Sequence, residues 1–144
     1  MTCKFVVGFD GSEDAQRALD FALDRARNEN ASILVAHVLE WSQFSFLTPT
    51  ELEERHKRRK EEIARAEEAV LRPVKERLAE TGLEVETIIR HGHVANTINE
   101  IAVSNDADQI FIGRKGEGSV GARLFGSVPG ALVQISSVPC TIVP

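Results

Sequence analysis

The sequence has few cysteines and no long apolar run, and each shortage excludes a class of protein. Its 144 residues contain only two cysteines, Cys3 and Cys140, at opposite ends of the chain and without CxxC spacing. We therefore expect reduced, partly buried thiols, not a disulfide framework or a redox centre. The longest apolar runs, at 5–9 and 33–39, are as long as strands, whereas a membrane helix needs about 20 apolar residues. No membrane span is expected.

The N-terminus also lacks the features of a secretory signal. It reads MTCKFVVGFDG and passes directly into a strand pattern, without a separate apolar region or a small-residue cleavage site. The formal net charge of -5 is moderate, and no segment has low complexity. We expect a cytoplasmic protein whose residues 1–144 form a single domain.

Strand and helix patterns alternate along the chain, which predicts an α/β fold built on a parallel sheet. Five strands joined by four helical crossovers are typical of a doubly wound sheet with helices on both faces. Ligands of such sheets bind beyond the carboxyl ends of the strands, where the strand order reverses. The predicted strands cover about 4–9, 32–39, 84–90, 108–113 and 138–143.

The longest helical pattern, at about 49–81, is too long for a compact domain of this size. It would extend roughly 50 Å at 1.5 Å per residue. Thr48 and Glu51 form a capping box at its start, but an apolar stripe suited to a core begins only at Ile63. Pro73 removes a backbone donor and should bend the helix. We predict an outlying arm followed by a half that packs on the sheet.

A glycine-rich segment follows the fourth predicted strand and points to an anion site. From Gly113 to Ser127 it reads GRKGEGSVGARLFGS, with five glycines, three basic residues and one acidic residue. Glycine allows backbone N–H groups to turn toward phosphate oxygens, and Ser127 stands where a helix N-terminus would add further donors. The spacing fits neither a P-loop nor GxGxxG. A surface loop that binds nothing is the alternative interpretation.

The glycine-rich segment has the spacing Gly113-x2-Gly116-x9-Gly126-Ser127, and the chain also contains VGFDGS at 7–12 and HV at 37–38. Together these motifs resemble the ATP-binding branch of the universal stress protein family. The resemblance covers essentially the whole chain. It implies the strand order 3-2-1-4-5, with the reversal between the first and fourth strands. It also implies a stress-response regulator that acts as a nucleotide-dependent switch and forms a homodimer through its C-terminal strand.

The resemblance further implies a set of binding residues. Asp10 and Val38 would contact the adenosine half of the nucleotide, and Gly8 and Ile112 would line the pocket. The ribose and phosphates would be surrounded by Gly113, Gly116, Gly126, Ser127 and Val128. The Asp10 carboxylate would repel a triphosphate without a cation, so Mg²⁺ is an expected companion of ATP. A turn and helix cap is the alternative role of Asp10.

Two other functions remain open. Pro129 has no N–H to offer a phosphate, a departure that leaves room for a nucleotide-free dimeric interaction module. A slow ATP hydrolase would use Asp10 with a metal, and Lys115 or Arg123 to offset phosphoryl charge. The sequence offers no clear general base for such an enzyme, so we assign no catalytic residue and favour binding.

Three further patterns have simple structural interpretations. His91 and His93 form an HxH pattern without an adjoining carboxylate cluster, so a solvated turn is favoured over a metal site. The basic run at 56–60 has glutamates on both sides, at 51–54 and 61–62, at helical ion-pair spacing, which favours a solvated helix face over a nucleic-acid site. Packing is the favoured role of the aromatic residues Trp41, Phe44 and Phe46.

Overall fold

The computed structural model describes residues 3–40, 48–115 and 127–144. Its strands are β1 (Lys4–Gly8), β2 (Ser32–Glu40), β3 (Val85–Gly92), β4 (Gln109–Gly113) and β5 (Cys140–Val143). Its helices are α1 (Glu13–Glu29), α2 (Pro49–Ala66), α3 (Arg72–Ala79), α4 (Val94–Ser104) and α5 (Ser127–Ile135). The strands form one parallel sheet in the order β3-β2-β1-β4-β5, which confirms the predicted fold class.

Each face of the sheet has its own apolar core, because successive side chains of a strand point to opposite faces. Phe5 and Val7 of β1 pack with buried residues of α1 and α3, whereas Val6 packs with buried residues of α4 and α5. The ring centroids of Phe5 and Phe111 lie 5.0 Å apart on the α1 face. The carboxyl ends of the central strands are therefore held between two packed layers.

The limits of α1 follow from the residues that cap it. The Ser12 side chain accepts a hydrogen bond from the Ala15 N–H at 3.1 Å, as an N-cap serine should. Asn30 ends the helix in the left-handed conformation, with φ of 54°. Serine and asparagine are residue types that favour these two positions, and the first turn of α1 is thereby fixed beside the end of β1.

The long helical segment is divided, as expected, into an exposed part and a packed part. In α2 only Ala66 is buried, whereas Val74 and Leu78 of α3 are buried. A π-helical turn (Glu67–Leu71) joins them, and the Arg72 N–H donates to the Glu67 carbonyl, five residues back. The extra residue in this turn rotates the helix, so that Leu71 enters the core.

The capping box at the start of α2 gives a local test of the arm. Thr48 and Glu51 hydrogen-bond each other's backbone N–H groups, each at 3.2 Å. Thr48→Ala is expected to raise amide hydrogen exchange in the first turn of α2 about fivefold, since a cap contributes about 1 kcal/mol. The free energy of unfolding should stay within about 0.5 kcal/mol of the wild-type value, because α2 buries little. Equal loss of protection in α4 would contradict the independence of the arm.

Both cysteines are free thiols and partly buried, in agreement with the sequence. Burial raises the pKa of the Cys140 thiol, which lowers its reactivity at neutral pH. Among the helices of residues 3–40, 48–115 and 127–144, none combines the length and the apolar composition that a membrane span requires.

Candidate functional site

A cavity of about 260 Å³ lies at the carboxyl ends of β1, β2 and β4. The chain leaves β1 toward β2 on one side and later returns to β4 on the other. The cavity is therefore at the reversal of strand order, where doubly wound sheets bind ligands. The described residues that line it are Gly8, Phe9, Asp10, Ser12, Ala15, Ala36, Val38, Glu40, Val94, Ile98, Ile112, Gly113, Lys115, Ser127, Val128 and Pro129.

The end of β1 forms the first wall. A Cβ atom at Gly8 would lie 2.9 Å from Cδ1 of Ile98 and 3.4 Å from Cδ1 of Ile112. Glycine therefore leaves room for these two side chains, which form an apolar floor of the cavity. Asp10 lines the cavity, and its Oδ1 accepts the Ser12 N–H at 2.9 Å. Asp10 thus takes part in a turn, its alternative role, and also borders the cavity.

Alternate residues of β2 form the second wall. Ala36, Val38 and Glu40 line the cavity, because every second side chain of a strand faces the same way. His37, between them, faces the opposite core, where its Nδ1 lies 2.7 Å from the Phe9 carbonyl oxygen and is buried. The HV pair is therefore split: Val38 faces the cavity, and His37 supports the chain just before Asp10.

The end of β4 and the start of α5 form the third wall. A Cβ atom at Gly113 would lie 2.8 Å from the backbone C and O of Asp14, so the glycine permits contact between β4 and α1. Lys115 follows and lines the cavity, as do Ser127, Val128 and Pro129 of the first turn of α5. Such a turn presents unpaired N–H groups, although Pro129 contributes none.

The electrostatics of the described lining are uneven. Asp10 and Glu40 lie on the β1 and β2 walls, Lys115 lies on the β4 wall, and an apolar floor that includes Ile98 and Ile112 borders the same cavity. The N-terminus of α5 adds the positive end of a helix dipole to the wall that carries Lys115. The cavity therefore has one side suited to hydrogen-bond donors and another suited to an anion.

A sequence model described as "Universal stress protein family" matches residues 1–144. The chain belongs to the universal stress protein family. It is 29% identical over 152 residues to the universal stress protein YxiE of Bacillus subtilis, with 97% of each chain covered.

Solved structures of other family members have the same fold. The universal stress protein UspA from Lactobacillus plantarum superposes with a TM-score of 0.85 at 24% identity, over 99% of this chain and 97% of that one. A universal stress protein described in complex with cAMP superposes with a TM-score of 0.68 at 26% identity, over 99% and 96% of the two chains.

In this universal stress protein the structure brings most of the predicted site residues together. Seven line the cavity: Gly8, Asp10, Val38, Ile112, Gly113, Ser127 and Val128. Gly116 and Gly126 lie outside the described residues, as do Arg123, Trp41, Phe44 and Phe46. That the lining residues contact a ligand stays a prediction.

The lining residues that sequence reasoning did not assign to the site include Ala36, Glu40, Val94 and Ile98. The alternation of β2 contained the signal for two of them, since Ala36 and Glu40 stand two residues from Val38 on either side. Ile98 belongs to the apolar face of α4, and nothing in the sequence shows that this face reaches a cavity.

His91 does not lie in a solvated turn. It belongs to β3, its side chain is 12% exposed, and its Nε2 lies 3.2 Å from Oε2 of Glu62 in α2. The strand extends two residues beyond its predicted end, which brings His91 onto the sheet. The histidine therefore links the base of the arm to the sheet edge.

Proposed function

We propose that this universal stress protein binds an adenine nucleotide in the cavity at the ends of β1, β2 and β4. The observation that carries the proposal is the chemical asymmetry of the lining. Carboxylates lie on the β1 and β2 walls, Lys115 and the start of α5 lie on the β4 wall, and apolar side chains complete the lining. A nucleoside phosphate has the same division into hydroxyl donors, an apolar base and an anionic end.

The asymmetry also assigns an orientation. Sugar hydroxyls donate to the Asp10 carboxylate, and the base packs against Val38 and Ile112. The phosphates then point toward Lys115 and the N–H groups of Ser127 and Val128. Gly116 and Gly126 complete the phosphate side in this proposal, on the grounds of the sequence resemblance.

The charge of the lining bears on which nucleotide binds. The described lining has two carboxylates and one ammonium group, so a triphosphate needs a cation such as Mg²⁺ to offset repulsion. Pro129 lies in the cavity and has no N–H for a phosphate oxygen. ATP binding should therefore depend strongly on Mg²⁺, whereas a monophosphate should need it less. The cAMP complex of a relative 26% identical to this chain supports an adenine ligand.

We further propose that nucleotide occupancy regulates contacts between subunits in a cytoplasmic homodimer. Strand β5 lies at an edge of the sheet, and edge strands offer backbone groups for pairing with another chain. The Arg114 N–H donates to the Val143 carbonyl at 2.9 Å. A ligand bound at Lys115 is thus one residue from a hydrogen bond to β5. In this proposal, ligand binding affects the dimer-forming strand through that bond.

Ligand release and titration test this function. Protein purified without added nucleotide is denatured, and the released small molecules are identified by mass spectrometry. Calorimetric titrations with ATP, AMP and cAMP follow, each with and without Mg²⁺. We expect an adenine compound or measurable binding, with Mg²⁺ strengthening ATP binding at least tenfold and AMP binding less. No released nucleotide and no heat with any of them would contradict the proposal and favour a nucleotide-free module.

A turnover assay separates binding from hydrolysis. We expect no steady release of phosphate from Mg²⁺-ATP, because the proposed orientation directs the phosphates toward Lys115, whereas the described carboxylates, Asp10 and Glu40, lie on the other walls. Turnover lost in Asp10→Ala but kept in Asp24→Ala, which changes an exposed aspartate of α1, would instead establish the hydrolase.

A further inference from the structure

We infer that Asp14, which does not line the cavity, is a positioning residue for its phosphate side. Its buried carboxylate holds the backbone of Lys115 and so determines where the chain leaves the sheet after β4. The inference concerns the same site and rests on the proposed function for its effect on ligands. The contact between Asp14 and Lys115 is observed independently of any ligand.

The need for such a contact follows from the geometry of the strand. Successive N–H groups of a strand point alternately to its two neighbours. The Arg114 N–H points to β5, where it donates to the Val143 carbonyl at 2.9 Å, so the Lys115 N–H points to the β1 side. The last β1 residue paired with β4 is Val7, opposite Phe111. Beyond that point the described part of the sheet supplies no partner for the Lys115 N–H.

Asp14 supplies the acceptor for the Lys115 N–H that a longer β1 would have supplied. The Lys115 N–H donates to its Oδ2 at 2.9 Å across 101 residues of sequence. The absence of a side chain at Gly113 lets the first turn of α1 approach so closely, since even a Cβ there would lie 2.8 Å from the Asp14 backbone. The contact is therefore built by three features: the end of β1, Gly113 and the start of α1.

The carboxylate is itself held from two directions. Its other oxygen, Oδ1, pairs with Nη2 of Arg17, one turn along the helix. Its position in the first turn of α1 also favours a negative charge. Asp14 is buried, so it has few alternative conformations. A fixed acceptor gives Lys115 a fixed backbone position.

Lys115 is the one basic side chain among the described lining residues. Fixing its backbone restricts the region that its ammonium group can reach, which preorganises the anion side of the cavity. Asp14 should therefore strengthen the binding of phosphate-bearing ligands and leave the binding of adenosine itself nearly unchanged.

Hydrogen exchange tests the contact, and a comparison of ligands tests its consequence. In Asp14→Ala without ligand, we expect exchange of the Lys115 amide to rise roughly tenfold relative to amides of α4. We also expect the AMP dissociation constant to rise by about fivefold to tenfold, while that for adenosine changes less than about twofold. Asp14→Asn keeps an oxygen acceptor and should restore most of the amide protection. Asp24→Ala is the matched control, because Asp24 and Arg27 form an exposed (i, i+3) pair on the same helix.

The outcomes separate this inference from the proposed function. Unchanged protection of the Lys115 amide in Asp14→Ala would overturn it, as would equal weakening of AMP and adenosine binding. If Asp14→Ala does not fold, Asp14→Asn decides by the same two measurements, with smaller shifts in the same direction expected. A wild-type chain that binds neither AMP nor adenosine contradicts the proposed function and the ligand effect together, and increased exchange in Asp14→Ala would still support the contact.

Discussion

Gly113→Ala is expected to lower the free energy of unfolding by roughly 2–3 kcal/mol. The added Cβ would lie 2.8 Å from the backbone C and O of Asp14, and 2.9 Å from its Cβ. These atoms belong to a capped helix packed on the sheet, so relief requires α1 to move away from β4. Gly113 is not among the residues with positive φ, so the cost arises from this contact and not from backbone strain.

Urea unfolding followed by circular dichroism measures the loss, and Gly130→Ala is the matched control. Gly130 lies inside α5, and a Cβ there would meet no atom of the described residues within 4 Å beyond its chain neighbours and its own helix backbone. The same substitution there should raise the free energy of unfolding by about 0.5–1 kcal/mol, because alanine favours helix. Equal stability of the two variants would show that α1 and β4 are not in the close contact described.

The fold could be predicted because each of its signals is local. Each signal acts over only a few positions: the capping residue Ser12, the left-handed Asn30 and the two-residue period of the strands. The structure has the caps and strands where these local signals occur in the sequence. The strand order came from the family resemblance, since local patterns do not determine which strands pair. Parallel pairing depends on contacts between distant parts of the chain.

The π-helical turn after α2 could not be predicted, for a physical reason. The helical period correctly predicts that Val74 and Leu78 are buried, and Val70 packs against the same core, but the π-helical turn adds a residue and also buries Leu71 completely. Pro73 gave a reason to expect an irregularity. It did not indicate whether the helix would bend or insert a π turn.

The cavity was predicted only in part, because its residues act in ways that one motif does not reveal. The family resemblance implies a ligand-binding role for Gly113, which stays a prediction, whereas the structure shows that Gly113 permits contact with α1. No sequence pattern singles out Asp14, since its partner Lys115 is 101 residues away in sequence. Long-range hydrogen bonds of this kind leave no periodic signal.

Val38→Phe is expected to weaken adenosine binding at least thirtyfold, or about 2 kcal/mol. Val38 is half-buried on the β2 wall, and a phenyl group there would occupy space in a cavity of only about 260 Å³. Since the added volume enters a cavity instead of a packed core, the free energy of unfolding should change by less than about 1 kcal/mol. Calorimetric titration and urea unfolding of the same preparation measure the two effects.

Val133→Phe is the matched control, because Val133 is 57% exposed on α5 and does not line the cavity. The adenosine affinity of Val133→Phe should equal that of the wild type. Unchanged adenosine affinity in Val38→Phe would show that the base binds elsewhere. The comparison with Asp14→Ala is equally informative. Val38→Phe should weaken adenosine and AMP by the same factor, whereas Asp14→Ala should weaken AMP alone, because the two residues act on opposite ends of one ligand.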